Sequence, residues 1–139
     1  MIIPLFLSAI FLILALIHFN WIFGGTFGLN ASLPTNLEGK RVLNPKPLET
    51  VIVGLDLSFF SLFYILQSGL ITFTLPHWVI SVGGWLIPSI FLLRAIGEFK
   101  YVGFFKRIKH TAFGKMDTKL FSPLCLVIAI MGFLVQLYI

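Results

Sequence analysis

Four ionisable side chains stand in or beside long apolar runs of this sequence: His18, Asp56, Arg94 and Glu98. Titratable groups are costly inside a bilayer, so such residues are the first candidates for a ligand site or for catalysis. If the four side chains meet, they form a candidate polar cluster. The sequence assigns no catalytic role to any one of them.

The apolar runs bring these residues toward one side of a membrane. Asp56 lies about nine residues into its run, roughly 13 Å along a helix, which is near the middle of a bilayer. His18 lies about one and a half turns before the end of the first run. Arg94 and Glu98 are one turn apart at the end of the third run. We expect all four to reach the same half of the membrane.

A structural role competes with a functional role for each residue. Arg94 can extend to lipid phosphates or pair with Glu98 one turn away. Asp56 can be protonated, or can form a hydrogen bond across helices and so hold the bundle together. Asp56 is the strongest functional candidate, because its short side chain cannot reach the interface from that depth.

The sequence predicts no metal site and no cofactor. A haem held by two histidines needs both imidazoles at one depth, and the three histidines lie at different depths in the predicted topology. A metal site from His18, Asp56 and Glu98 lacks a recognisable ligand spacing. Cys125 is the one cysteine, so it forms no disulfide within the chain, and we interpret it as a small apolar residue.

The composition indicates an integral membrane protein. The 139 residues are 58% hydrophobic and 11% charged, whereas soluble domains have roughly 25% charged residues. We expect one transmembrane domain over residues 1–139 with an all-α, four-helix bundle fold. The net charge of +5 does not indicate nucleic-acid binding, because the bases lie between apolar runs, where lipid headgroups and membrane topology explain them.

Four apolar runs have about the 20 residues that a helix needs to cross a bilayer. The predicted spans cover about residues 4–23, 48–70, 77–97 and 123–138, and the fourth is the shortest. Ser122 and Pro123 have the character of an N-cap and a first-turn proline, and they set the predicted start of the fourth span.

The basic residues predict the orientation of the chain. All ten lie in the loops after the first and third predicted spans or at the end of the third span: Lys40, Arg41, Lys46, Arg94, Lys100, Lys106, Arg107, Lys109, Lys115 and Lys119. The positive-inside rule then places both loops in the cytoplasm and both termini outside. We expect a multi-pass protein of the bacterial inner membrane.

The second basic loop has an amphipathic pattern. On a helical wheel over residues 99–113, most apolar residues share one arc and most bases the other, which is typical of a helix lying in the headgroup plane. We expect Tyr101, Lys106 and Arg107 to contact anionic headgroups at the cytoplasmic face. The lipid bilayer is therefore a predicted partner, together with a second copy of the chain or another membrane protein, and nucleic acid is not.

Two motifs carry a resemblance to a known family. The first is His18-x-x-Trp21-x-x-Gly24-Gly25, and the second runs from Arg94 through Gly97-Glu98-Phe99-x-Tyr101-Val102-Gly103-Phe104-Phe105-Lys106-Arg107 to Asp117-Thr118 and Ser122-Pro123-Leu124-Cys125. Together they resemble a family of small bacterial four-helix membrane proteins of unknown function. That family usually has Asp in place of Glu98 and Tyr in place of Phe121. The resemblance implies four inner-membrane spans and no particular activity.

Three functions are compatible with these features. The first is a non-enzymatic bundle that associates with a partner or with itself, and the composition and topology favour it. The second is an enzyme or carrier for a lipid-soluble substrate, with the polar cluster lining a pocket in the cytoplasmic half. The third is an ion- or proton-linked transport subunit that depends on Asp56 and His18.

Overall fold

The fold is all-helical over the residues that the computed structural model describes, which are 2–25, 47–97, 99–109 and 111–138. The helices are α1 (Ile2–Ile22), α2 (Pro47–Gln67), α3 (His77–Ile96), α4 (Ala112–Met116) and α5 (Ser122–Leu137). A π-helical segment, Asp117–Phe121, joins α4 directly to α5. The predicted first basic loop, with Lys40, Arg41 and Lys46, lies outside the described residues, as does Glu98.

Four of the described helical stretches are long and apolar enough to cross a membrane. Three of them, α1 to α3, match the predicted spans to within a few residues at each end. The all-α four-helix membrane fold predicted from composition is confirmed. Hydrophobic length decides these elements, since a backbone inside a bilayer must satisfy its own hydrogen bonds within each helix.

The fourth span differs from its prediction. It covers Phe113–Leu137, so at 25 residues it is the longest of the four and not the shortest. The helix begins after Thr111, whose Oγ accepts a hydrogen bond from the Gly114 N–H at 2.9 Å. The helix then widens into the π turn over Asp117–Phe121, which closes with a hydrogen bond from the Ser122 N–H to the Asp117 carbonyl. Ser122 and Pro123 follow this turn directly. Ser122 and Pro123 are thus the first residues of α5, but they lie inside the longer helical span Phe113–Leu137 and do not start it.

The predicted interfacial helix is wrong over residues 99–109, which form bends and turns. Gly97 and Gly103 have φ angles of 86° and 90°, and Phe99 has a φ of 70°, so helical backbone is interrupted at three points. The loop folds back on the end of α3, where the Phe104 N–H donates to the Ala95 carbonyl at 2.8 Å. The residues with the amphipathic pattern thus form a compact loop followed by a short helix.

The core lies where the four spans meet. Helix α1 packs along α2, α3 packs along α5, and α1 also contacts α5. Buried apolar residues from all four spans form one cluster: Leu7, Phe11, Ala15, Leu57, Phe63, Tyr64, Ile87, Ile128 and Val135. The buried Ser8 and Ser61 hydroxyls cross-link α1 and α2, each donating to the other residue's carbonyl at 2.9 and 2.8 Å. Such hydrogen bonds stabilise helix pairs in membranes by about 0.6 kcal/mol each.

Candidate functional site

The four residues of the predicted polar cluster have separate environments where they are described. His18 is hydrogen-bonded within its own helix, with Nδ1 2.7 Å from the Leu14 carbonyl oxygen, and its ring lies 4.7 Å from that of Trp21. Asp56 is exposed on the outside of α2. Arg94 contacts a carboxylate outside the predicted set. Among the described residues, no hydrogen bond joins His18, Asp56 or Arg94 to one another.

The partner of Arg94 is Asp117, the first residue of the π-helical segment. Arg94 Nη2 donates to Asp117 Oδ1 at 2.9 Å. The other carboxylate oxygen, Oδ2, accepts the Gly103 N–H at 2.7 Å and lies 3.2 Å from Lys106 Nζ. Asp117 is 0% exposed and Lys106 2%. We call the set Arg94, Gly103, Lys106, Asp117 and Thr118 the charged junction.

Lys106 is enclosed by the charged junction. Its ammonium group donates to the Gly103 carbonyl at 3.1 Å and to the Thr118 hydroxyl, in addition to its ion pair with Asp117. An ammonium group has three donors, so all three have an acceptor. The sequence predicts Lys106 at the lipid headgroups, but in the structure its charge is buried inside the protein. The Lys106 charge can be buried because Asp117 and Thr118, on the π-helical segment, approach its ammonium group.

The other two residues predicted at the headgroups lie at or near the surface. Tyr101 is half-buried, and Lys100 Nζ lies 5.0 Å from the centre of its ring. Arg107 is exposed, and its backbone N–H donates to the Lys100 carbonyl at 3.0 Å. Contact of Tyr101 and Arg107 with anionic lipid remains a prediction.

The charged junction ties three parts of the chain together. It joins the end of α3, the loop over residues 99–109 and the π-helical segment. Removing one partner of a buried ion pair costs about 3–5 kcal/mol, because the other charge is left without compensation. Asp117 was missed as a site residue, although it is the one acid after residue 98, where six bases occur. That charge imbalance was a usable signal.

A second polar group lies at the opposite end of the bundle, and no sequence pattern indicated it. We call Tyr64, Gln67 and Gln136 the amide cluster. Gln67 Nε2, Gln67 Oε1 and Gln136 Oε1 are enclosed atoms with no hydrogen-bond partner in the described structure. Tyr64 is 1% exposed. The three residues belong to the core-facing side of α2 and to the end of α5.

Glycines allow the helices to approach closely around the amide cluster. A Cβ atom on Gly132 would lie 3.0 Å from Tyr64 Oη and 2.8 Å from Pro88 Cβ. A Cβ atom on Gly84 would lie 1.8 Å from Gln136 Oε1, so that amide rests directly on the α3 backbone. Helices α3 and α5 are therefore in close contact at this end of the core, and α2 reaches them through the Tyr64 side chain.

The two glutamines lie at similar depth. Helices α2 and α5 are the second and fourth spans, so they run in the same direction through the bundle. Tyr64 is beside Gly132, and Gln67 and Gln136 each follow by about one turn. Both amides therefore lie about one turn beyond the Tyr64–Gly132 contact, toward the ends of their helices.

Cys125 and the acidic residues provide no metal site within the described part of the chain. No group of three His, Cys, Asp or Glu residues is placed there to hold a metal ion. Cys125 is half-buried on α5 and carries a free thiol.

Comparison with known proteins places the chain in a family. A family described as "Protein of unknown function (DUF3995)" matches residues 11–132, so the chain belongs to that family. Neither a curated protein nor a solved structure matches the chain. The protein is thus a small multi-pass membrane protein of a family without an assigned activity.

Proposed function

We propose that this DUF3995 protein is a non-enzymatic membrane protein that forms a dimer through the outer face of α2, with Asp56 at the centre of the contact. The observation that carries the proposal is the exposure of Asp56 on a helix that is otherwise apolar at that depth. The proposed function is lateral assembly in the membrane.

The surroundings of Asp56 explain why a partner is needed. Ile52 is one turn before it and 49% exposed, and Phe59 is nearly one turn after it and 65% exposed. Asp56 thus lies within an apolar, lipid-facing surface near the middle of a 21-residue helix. An aspartate at mid-span costs about 2.5–3.5 kcal/mol on the insertion scale. A second helix that supplies a hydrogen bond lowers this cost.

A second copy of the chain fits this requirement without any further assumption. Two copies with the same orientation in a membrane are related by a two-fold axis along the membrane normal, so identical residues lie at identical depth. Asp56 of one copy then meets Asp56 of the other. Two carboxyl groups that share a proton form hydrogen bonds inside an apolar contact.

The alternative of an enzyme with a pocket lined by the predicted cluster receives less support. Asp56 faces away from the bundle interior, Arg94 is bound to Asp117, and His18 is bonded to Leu14. These placements do not direct the three side chains toward one described cavity. The transport hypothesis depends on the same Asp56 and His18 and gains no additional observation.

The distribution of charge supports a proposed orientation in the bacterial inner membrane. Seven of the ten bases follow Leu93, and the connection between α2 and α3, residues 68–76, has none. We assign the basic end to the cytoplasm and both termini to the outside. A C-terminal alkaline phosphatase fusion is then active and a C-terminal green fluorescent protein fusion dark, and the reverse result contradicts the orientation.

Dimer formation is tested with the full-length protein in lipid nanodiscs or dilute liposomes. Two pools labelled with donor and acceptor fluorophores report association by energy transfer as the protein-to-lipid ratio is varied. Loss of a mid-span hydrogen bond of about 1–2 kcal/mol weakens the dimer by about five- to thirtyfold in Asp56→Leu. Asp56→Asn keeps hydrogen-bonding capacity and stays close to wild type.

Glu49→Gln is the matched control, because Glu49 is an exposed acid on the same helix but in its first turn. This variant should associate as wild type does. Monomeric wild-type protein, or a dimer unchanged by Asp56→Leu, contradicts the proposal. Loss of association in Asp56→Asn as well indicates an ionic partner and overturns the carboxyl-pair contact.

A further inference from the structure

The amide cluster contains hydrogen-bonding groups that the described structure leaves without partners. Gln67 Nε2, Gln67 Oε1 and Gln136 Oε1 are all enclosed. Each unsatisfied buried polar group costs about 1–3 kcal/mol. Structural glutamines in a membrane core normally bond to a neighbouring helix, yet these amide atoms do not.

The end of α2 is closed without the Gln67 side chain. The Ser68 hydroxyl donates to the Ile65 carbonyl at 2.6 Å and accepts the Leu70 N–H at 3.2 Å. A serine thus supplies the local hydrogen bonds at this helix terminus. Gln67 has no capping role that would explain an amide directed into the protein.

The donors and acceptors of the cluster define what would satisfy it. The enclosed atoms without a partner are one amide nitrogen, which donates, and two amide oxygens, which accept. A ligand with carbonyl groups alone satisfies the nitrogen and leaves both oxygens without a donor. A ligand with hydroxyl groups can donate to the oxygens and accept from the nitrogen.

The absence of charge near the cluster defines the ligand further. Both glutamines are neutral, and the connection at this end of the bundle, residues 68–76, contains no Lys, Arg, Asp or Glu. A charged headgroup placed among neutral amides would lose its hydration without an opposite charge in return. An uncharged headgroup does not have that penalty.

The location suits a molecule that is dissolved in the membrane. Gln67 is the last residue of α2, and Gln136 is next to last in α5, so both lie close to one membrane surface. An apolar groove of about 510 Å³ lies at the same end, lined by residues at the start of α1 and the end of α5. It includes Val135, the neighbour of Gln136. The apolar tail of a membrane-soluble ligand could pack against this groove.

We propose that Gln67 and Gln136 bind the hydroxyl groups of an uncharged, membrane-soluble molecule at the end of the bundle away from the basic residues. Gln67 Nε2 donates to a ligand oxygen, and a ligand hydroxyl donates to Gln67 Oε1 or to Gln136 Oε1, or to both where the ligand has two hydroxyl groups. Gly84 leaves the room in which the Gln136 amide lies. Diacylglycerols and quinols are two sources of this chemistry. This site is separate from the α2 face that carries Asp56.

The test compares pairs of ligands in which only one member carries free hydroxyl groups. Purified full-length protein in nanodiscs is titrated with 1,2-dioleoylglycerol or with its 3-acetyl ester, and with decylubiquinol or decylubiquinone. Retention is measured by native mass spectrometry. Tighter retention of dioleoylglycerol than of its ester assigns the site to a lipid. Tighter retention of the quinol than of the quinone assigns it to a redox carrier, and both outcomes support the site.

Variants connect the retention to the two glutamines. Gln67→Leu and Gln136→Leu weaken binding of the preferred ligand by about tenfold for each hydrogen bond that the variant removes. Ser89→Ala is the control, because it removes a polar group from α3 whose hydroxyl bonds to its own helix at Trp85. If Gln67→Leu is poorly folded, Gln67→Asn keeps the amide on a shorter side chain and also weakens binding. Equal retention of each hydroxyl compound and its matched partner by wild type overturns the proposal, as does retention unchanged in both leucine variants.

Discussion

The two polar groups of this bundle lie at opposite ends and satisfy their hydrogen bonds differently. In the charged junction both oxygens of Asp117 and all three donors of Lys106 have partners within the protein. In the amide cluster three enclosed atoms have none among the described residues. A closed network holds a structure together, whereas buried groups without partners call for an explanation, which a bound ligand would supply.

The contrast is not complete, because the charged junction has an open edge. Arg94 Nη1 and the fully buried Ser122 hydroxyl lack partners in the described part of the chain. Arg94 already bonds to Asp117 through Nη2, and the Ser122 backbone N–H bonds to the Asp117 carbonyl. We assign the junction to stability because its most deeply buried charges, Asp117 and Lys106, are matched to each other.

The largest expected effect is loss of stability in Asp117→Ala. The substitution leaves the buried Lys106 ammonium without its counter-charge, and we expect the free energy of unfolding to fall by about 3–5 kcal/mol. Denaturant unfolding in detergent micelles measures the change. Asp56→Asn is the control, because that carboxyl lies outside the bundle, and it leaves the monomer close to wild type. An equal fall in the free energy of unfolding in the two variants would contradict the stabilising role that we assign to the charged junction.

A second variant separates the charge from the packing. Lys106→Met combined with Asp117→Leu removes both fully buried ions. The charge that loses its partner, Arg94, has a side chain that is 31% exposed and long enough to reach solvent or lipid headgroups. We expect this pair of changes to be less destabilising than Asp117→Ala alone, because a buried ion pair contributes little beyond an apolar replacement of similar volume. A double variant that unfolds as readily as the single one would show that the hydrogen bonds to Gly103 and Thr118 dominate.

The next effect concerns the loop that brings a backbone N–H to Asp117. In Gly103→Ala the new Cβ atom would lie 2.3 Å from the Ile96 carbonyl oxygen, on a backbone with a φ of 90°. We expect the free energy of unfolding to fall by about 2–3 kcal/mol, because the left-handed backbone is strained and the loop is displaced. Gly69→Ala provides the control, since its φ is 83° but nothing lies within 4 Å. Its free energy of unfolding should fall only by the cost of the left-handed strain, about 1 kcal/mol.

The sequence predicted the spans well and the two polar groups poorly, for a physical reason. Hydrophobic length is a local property, so three spans were placed to within a few residues. The partner of Arg94 depends on tertiary contact: Glu98 is one turn away in sequence, but the arginine bonds to Asp117, 23 residues on. Gln67 and Gln136 are still further apart in the sequence, and each looks like an ordinary polar end of a helix, because only the folded bundle encloses their amide atoms.

An apolar substitution in the amide cluster should raise the free energy of unfolding, whereas a substitution in the charged junction lowers it. In the absence of a ligand, Gln67→Leu replaces an unsatisfied amide with an apolar side chain, so we expect unfolding to become harder by about 1 kcal/mol. The same denaturant titration in micelles measures it. A loss of stability would show that the glutamine bonds to a neighbouring helix, and the cluster would then be structural, as the charged junction is.

The smallest effect on stability and the sharpest separation of the two ends come from Gly84→Ala. The added Cβ atom meets the Gln136 amide at 1.8 Å, but that amide is the flexible end of a side chain and can rotate away. We expect a change of less than about 1 kcal/mol in unfolding, since alanine is also the better helix former. The displaced amide no longer faces the site, so retention of a hydroxyl ligand should fall by about the same factor as in Gln136→Leu. Unfolding curves and native mass spectrometry on one sample give both values. A large loss of stability with unchanged retention would reverse the roles assigned to the two ends of the bundle.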